Sequence, residues 1–122
     1  MNTEPRRKDR AMKRSEMELL LECLPVGRLA VATKDGPYII PVNYLFFEGS
    51  LYFHSALAGR KVEALRADAR VCFSVDEVGP QVIWERGCGI SQIYKSVTCF
   101  GKAVFLDDPI EKRRILEKMV RK

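Results

Sequence analysis

Residues 27–55 read GRLAVATKDGPYIIPVNYLFFEGSLYFHS. Apolar, β-branched and aromatic residues dominate, and the run is broken only at Asp35-Gly36 and Glu48-Gly49. Such dipeptides between strand-like segments are hairpin signals. Three strands, 27–33, 37–47 and 51–55, are therefore expected to run as an antiparallel meander. Pro41 removes one ladder donor, so the middle strand must bulge there or lie at a sheet edge.

The flanks supply helices. Ser15 and Glu18 have capping-box spacing, which predicts a helix over about 16–24, ending before Pro25. Val62, Leu65 and Arg66 predict a short helix within 59–67, and Val71, Phe73 and Val75 alternate as a strand over 71–75. Residues 76–91 read as irregular apart from a short strand at QVIW. Residues 96–106 form a long strand with a bend at Gly101. Pro109 opens an amphipathic helix whose Ile110, Ile115, Leu116, Met119 and Val120 are expected to face inward. The fold class is mainly β with flanking helices, in the form of a small barrel. Residues 1–14 read as a flexible basic arm, and 15–122 as a single domain.

The net charge of +5 is uneven. Residues 1–15 and 111–122 each carry six cations and two anions, so the body between them is mildly acidic. Basic ends of this kind fit weak polyanion attraction, whereas a specific nucleic-acid reader places its charge on a structured face. Cys23, Cys72, Cys88 and Cys99 form no CxxC pair and His54 is the lone histidine, which argues against a metal site. Cys72 and Cys99 read as small core residues, and Cys88, between two glycines, as the candidate for reactivity. MNTEPRRKDR is not followed by a signal-peptide core, and LLLECLP is too short to cross a membrane. Free thiols without a leader point to the reducing cytoplasm.

The stretch LYFHSALAGRK (51–61) carries the candidate chemistry. Arg60 and Lys61 open a helix, where the helix dipole favours anions instead. A bound anion would remove the conflict. A phosphate monoester would take the free backbone N–H groups, the Arg60 fork, the Lys61 charge and the Ser55 hydroxyl together. The competing reading is a solvated surface pair. His54, at a strand end with no acidic neighbour in sequence, is either a functional imidazole or an ordinary exposed one.

Six segments, RRKDR, GRLAVAT, PYIIPVNY, LYFHSALAGRK, VCFSVD and YKSVTCFGKA, occur in this order across residues 5–120. Together they resemble the flavin-nucleotide-binding family related to pyridoxamine 5′-phosphate oxidase, and in particular its nitroimidazole-resistance-like members. The resemblance implies an FMN-binding split β-barrel, a homodimer with FMN at the subunit interface. It implies that Arg60 and Lys61 bind the phosphate and that His54, Ser55 and Ala56 line the nucleotide at the strand end. It places His54 as the active-site histidine. Pro41, Val42, Asn43 and Tyr44 would run beside the isoalloxazine, and Lys95 and Ser96 would lie where a partner chain reaches the flavin. Tyr38, Tyr44 and Trp84 are candidates to cover the ring. The oxidase branch has glutamine where this chain has Ser96, and its C-terminal pyridoxal-binding segment has no counterpart in these residues. The implied function is an oxidoreductase passing electrons from reduced flavin to a small acceptor such as a nitroaromatic. With no GxGxxG motif, an NAD(P)H donor would dock directly on the flavin. The alternatives are a non-catalytic flavin carrier or sensor, or a haem-binding relative with His54 as axial ligand.

Overall fold

A first hairpin forms from two largely apolar runs, the first of which buries alternate residues. Strand β1, Val26–Thr33, buries Gly27, Leu29 and Val31 and exposes the residues between them or covers them partly. It pairs with β2, Gly36–Asn43, in unbroken register from Val26 opposite Asn43 to Thr33 opposite Gly36. The computed structural model describes residues 4–55, 58–83 and 90–122, with the backbone alone for 82, 83, 90 and 91. The main sheet is antiparallel, in the order β2-β1-β5-β6, where β5 is Arg70–Ile83 and β6 is Ile90–Lys102. Pro41 therefore lies on an edge strand, one of the two places its missing donor allows.

The expected strand over 37–47 is in fact two. β2 ends at Asn43, and β3, Leu45–Phe47, pairs with β4, Ser50–Tyr52, in a separate two-stranded sheet. Glu48 (φ 51°) and Gly49 (φ 78°) form the turn, both left-handed as a two-residue loop of this type requires. The break falls at Tyr44 because Tyr44 and Leu45 are both buried. Two successive residues cannot face one core from a flat strand, so the chain must turn. The Tyr44 hydroxyl donates to the Leu21 carbonyl at 2.7 Å, and its ring meets Phe73 edge-on at 4.8 Å between centroids. Burial pushes the phenol up to about 12, which keeps it a donor.

Helix α1, Arg14–Cys23, starts earlier than its capping-box reading. Lys13 stands at the N-cap with no side-chain bond, and Ser15 lies inside the first turn. Glu18 instead accepts from Arg14 at 3.1 Å, a pair one helical turn apart. Leu21 and Leu24 lie among the last carbonyls of this helix and just beyond it, positions without intrahelical partners. Tyr44 takes the first, and the Lys122 ammonium takes the second at 2.8 Å.

Residues 76–80 are strand, where an irregular segment was expected, and the short strand expected at QVIW is the end of the same β5. A register shift between Val78 and Gln81 accommodates Gly79 and Pro80, and the Gln92 side-chain amide donates to the Gly79 carbonyl. A bulge thus absorbs two residues that read as turn formers. At its other end β6 stops at Lys102, short of the expected 106.

Helix α3, Pro109–Arg121, begins as expected, with Asp108 capping the Ile110 N–H at 3.0 Å. Its facing differs from expectation. Ile115 is buried and Met119 half-buried, but Ile110, Leu116 and Val120 are exposed. Arg114 and Lys118 instead lie over the Phe47 ring at 5.5 and 4.5 Å, and Lys122 over the Tyr44 ring at 3.6 Å. Cations spaced four apart dock the helix on aromatic faces, which an apolar-pattern reading cannot anticipate.

The core joins Leu20 and Leu21 of α1 to Leu29, Val31, Val42, Phe73, Val75 and Val97. Ala64 and Leu65 come to it from α2, Arg60–Ala67. Cys99 packs against this cluster and burial raises its thiol, while Cys23 and Cys72 are further free thiols. Trp84 and Cys88 lie outside the described residues. Among the described residues no helix is long and apolar enough to cross a membrane.

Tyr44→Phe leaves the ring packing intact and strands the Leu21 carbonyl. Urea denaturation is expected to show a loss of about 1 kcal/mol. An unchanged midpoint and slope would show that the hydroxyl contributes nothing.

Candidate functional site

The N-terminus of α2 is built without a cap. Gly59 holds the N-cap with φ 124° and ψ 178°, and it brings no side chain to cap the first turn. The first helical bond runs from the Glu63 N–H to the Gly59 carbonyl at 3.0 Å. The N–H groups of residues 60–62 therefore have no intrahelical acceptor. Among the described residues a Cβ at Gly59 would meet nothing within 4 Å, so none of them closes the helix end at that point.

Two cations flank this opening, each seated on a ring. The Arg60 guanidinium lies 5.1 Å from the centroid of Tyr38, on β2. The Lys61 ammonium lies 5.6 Å from that of Phe53. Among the described residues neither cation has a carboxylate within 4 Å, in contrast to Arg28 with Asp76 and Arg70 with Asp68. A ring attracts a cation by its face but accepts no strong hydrogen bond, so the N–H donors remain available for an anion. The Asp68 carboxyl shows what a partner does here. Its hydrogen bonds from Arg70 hold it at about 2.

Phe53 connects this cluster to the second. His54 follows it directly, and both His54 and Ser55 are exposed and line a groove of about 1980 Å³. Lys95 and Ser96, on β6 opposite Glu77 and Asp76, line the same groove. Leu51, Phe53 and Val97 provide apolar floor. This volume exceeds the roughly 300–1,000 Å³ typical of a small-molecule pocket, so a cofactor would fill one part of it.

The other sequence candidates are placed differently. Pro41 and Asn43 are exposed on β2, outside the groove. Val42 and Tyr44 are core residues, so their side chains are not available to a ligand. Tyr44 cannot cover a flavin ring, because its own ring is held between Phe73 and Lys122. The face of Tyr38 carries Arg60. Ala56 lies outside the described residues. Sequence reasoning missed Phe53 as the seat of Lys61. Its position beside His54 was the available signal. It also missed Arg6 and Arg10 of the N-terminal segment, which border the groove.

The model of the family described as pyridoxamine 5′-phosphate oxidase matches residues 13–122. The chain belongs to this family. Among solved structures it is similar to a candidate 5-nitroimidazole antibiotic resistance protein of Bacteroides thetaiotaomicron. The two share 26% identity over 91% of this chain and 66% of that one, with a TM-score of 0.77. It is also similar to a FAD-binding protein of Mesorhizobium loti, 29% identical over 90% of this chain and 75% of that one, TM-score 0.72. The FAD and haem binding protein of Mycobacterium smegmatis shares the fold, with a TM-score of 0.81 at 23% identity, over 90% of this chain and 53% of that one. An uncharacterized Rhizobium meliloti protein is 29% identical over 76 residues. That stretch is 62% of this chain and 50% of the relative, so the chain matches about half the length of this curated relative. The family's split barrel, mostly β with three helices, is thus the fold of this chain.

Gly59→Ala tests whether the helix opening depends on a left-handed residue. The space is empty, so the cost is torsional, about 1–2 kcal/mol of stability in chemical denaturation. A variant as stable as the parent would mean that another backbone conformation serves equally well.

Proposed function

We propose that the protein binds FMN, with its phosphate at the open N-terminus of α2. The observation that carries this reading is the uncapped first turn flanked by Arg60 and Lys61, each seated on an aromatic ring and without a carboxylate partner among the described residues. The residues fit a phosphate monoester. Backbone N–H groups, a guanidinium and an ammonium all belong to the first turn of α2, and the helix dipole adds to them. β4 ends at Tyr52, short of the strand expected over 51–55, and Ser55 stands three residues beyond it on the segment that leads to α2. The flavin ring, flat and largely apolar, would lie along the groove over Phe53 and Leu51, with His54 at its margin.

Bound FMN supplies the electron transfer; the chain binds it, orients it and sets its surroundings. The reaction proposed is reduction of a small acceptor such as a nitroaromatic, with a nicotinamide donor docking directly on the flavin. His54 gives the acceptor a hydrogen bond or a proton. A second copy of the chain would complete the site by bringing Lys95 and Ser96 to the flavin of its partner, in a homodimer. The free thiols suit a reducing, cytoplasmic setting.

The visible spectrum and the mass of the cofactor released from purified protein test the binding. FMN is expected. A flavin-free protein that gains no thermal stability from saturating FMN would overturn the reading. Arg60→Ala and Lys61→Ala are each expected to weaken FMN binding by about 1.5–3 kcal/mol in calorimetric titration. Unchanged affinity in both would remove the phosphate assignment. His54→Ala is expected to retain FMN and to lose most turnover of NAD(P)H with a nitroaromatic acceptor. Equal turnover would reduce His54 to a contact residue.

A further inference from the structure

Helix α3 is held on its inner side by cations on rings, and this leaves an apolar side turned outward. Ile110 is 81% exposed, Val120 87% and Leu116 45%. Between them on the same face stand Arg113 and Glu117, both exposed. Among the described residues neither side chain has an ion-pair partner. Pro109, Leu116 and Val120 border a shallow depression along this face.

The spacing of these residues is symmetric about Ile115. Ile110 and Val120 stand five positions to either side, and Arg113 and Glu117 two positions to either side. At 100° per residue all four fall within one face of the helix. We propose that this face docks on a second copy of the chain, α3 against α3, antiparallel about a two-fold axis at the level of Ile115. In that arrangement Arg113 of each copy meets Glu117 of the other, and Ile110 meets Val120. A two-fold interface must be self-complementary, and this pattern is. A parallel pairing would set Arg113 against Arg113 and Glu117 against Glu117, so the charges specify the antiparallel one. The inner cations Arg114, Lys118 and Lys122 remain on Phe47 and Tyr44, on the side away from the contact.

The paired residues Ile110, Arg113, Glu117 and Val120 do not line the proposed flavin groove, although Leu116 borders both, and the pairing does not rest on that site. Where a flavin-bearing dimer forms as well, α3 joins one dimer to another. A single helix pair buries less than a standard interface of roughly 1,200–2,000 Å², so the association is weak and concentration-dependent.

Sedimentation equilibrium of the full chain at physiological salt tests the pairing. Arg113→Glu and Glu117→Arg are each expected to weaken self-association at least about fivefold, and the double exchange to restore it within about twofold. Arg113→Glu is the sharper probe, because it also lowers the positive charge that drives copies apart. Non-specific electrostatics would make that variant associate more strongly. Ile110→Gln is expected to weaken association without any charge change. Circular dichroism confirms that each variant stays folded; all the substituted residues of α3 are exposed. Absence of association in the parent chain, no effect of either single charge change, or no recovery in the double variant would each overturn the proposal.

Discussion

Tyr44 is the point on which the two sheets and two of the helices depend. Its ring packs edge-on against Phe73 of the main sheet, its hydroxyl closes the end of α1 at Leu21, and its own carbonyl accepts from Lys122 at 2.9 Å. The same ammonium covers the ring and takes the Leu24 carbonyl. One side chain thus turns β2 into β3, and the cation above it ties α3 to α1. A buried hydroxyl left without its acceptor costs more than an ordinary hydrogen bond contributes, which makes the arrangement strongly directional. Because the chain must bend at this residue, the β3–β4 hairpin leaves the main sheet and delivers Phe53 and His54 to the groove.

Six cations of this protein share one contact. Arg60, Lys61, Arg66, Arg114, Lys118 and Lys122 all lie over aromatic rings. On α3 this seating holds a helix to its sheet. On α2 it positions two charges at a helix end that lacks a cap, where unpaired cations are otherwise unfavourable. Packing on α3 and the phosphate site proposed on α2 therefore draw on the same contact. What separates them is the backbone N–H groups at the start of α2, which have no intrahelical acceptor and which the inner face of α3 does not have.

Much of this was legible in the sequence, and the failures have physical causes. The strand-like run GRLAVAT ending at Asp35-Gly36 located β1, and Pro41 marked a bulge or an edge strand, because each reports a local rule. The split of 37–47 into two strands depended on the long-range bond from Tyr44 to Leu21, which no local pattern contains. Gly79 and Pro80 read as turn residues until Gln92 of the neighbouring strand supplied the bond that carries the bulge. Ser15 and Glu18 had the spacing of a cap, but Arg14 offered Glu18 an opposite charge instead. For the site, the order of residues in LYFHSALAGRK already suggested an anion at Arg60 and Lys61. The placement of Val42 and Tyr44 in the core was beyond it, since strand residues that border a ligand and strand residues that border a core look alike.

The account rests most heavily on recognition of the phosphate instead of the flavin ring alone. Riboflavin, which has the same ring system and no phosphate, isolates that contribution. Paired titrations with FMN and riboflavin are expected to show FMN bound at least about 100-fold more tightly, and the gap is expected to collapse in the Arg60→Ala, Lys61→Ala double variant. Equal affinity for the two flavins in the parent protein would contradict the account at its centre.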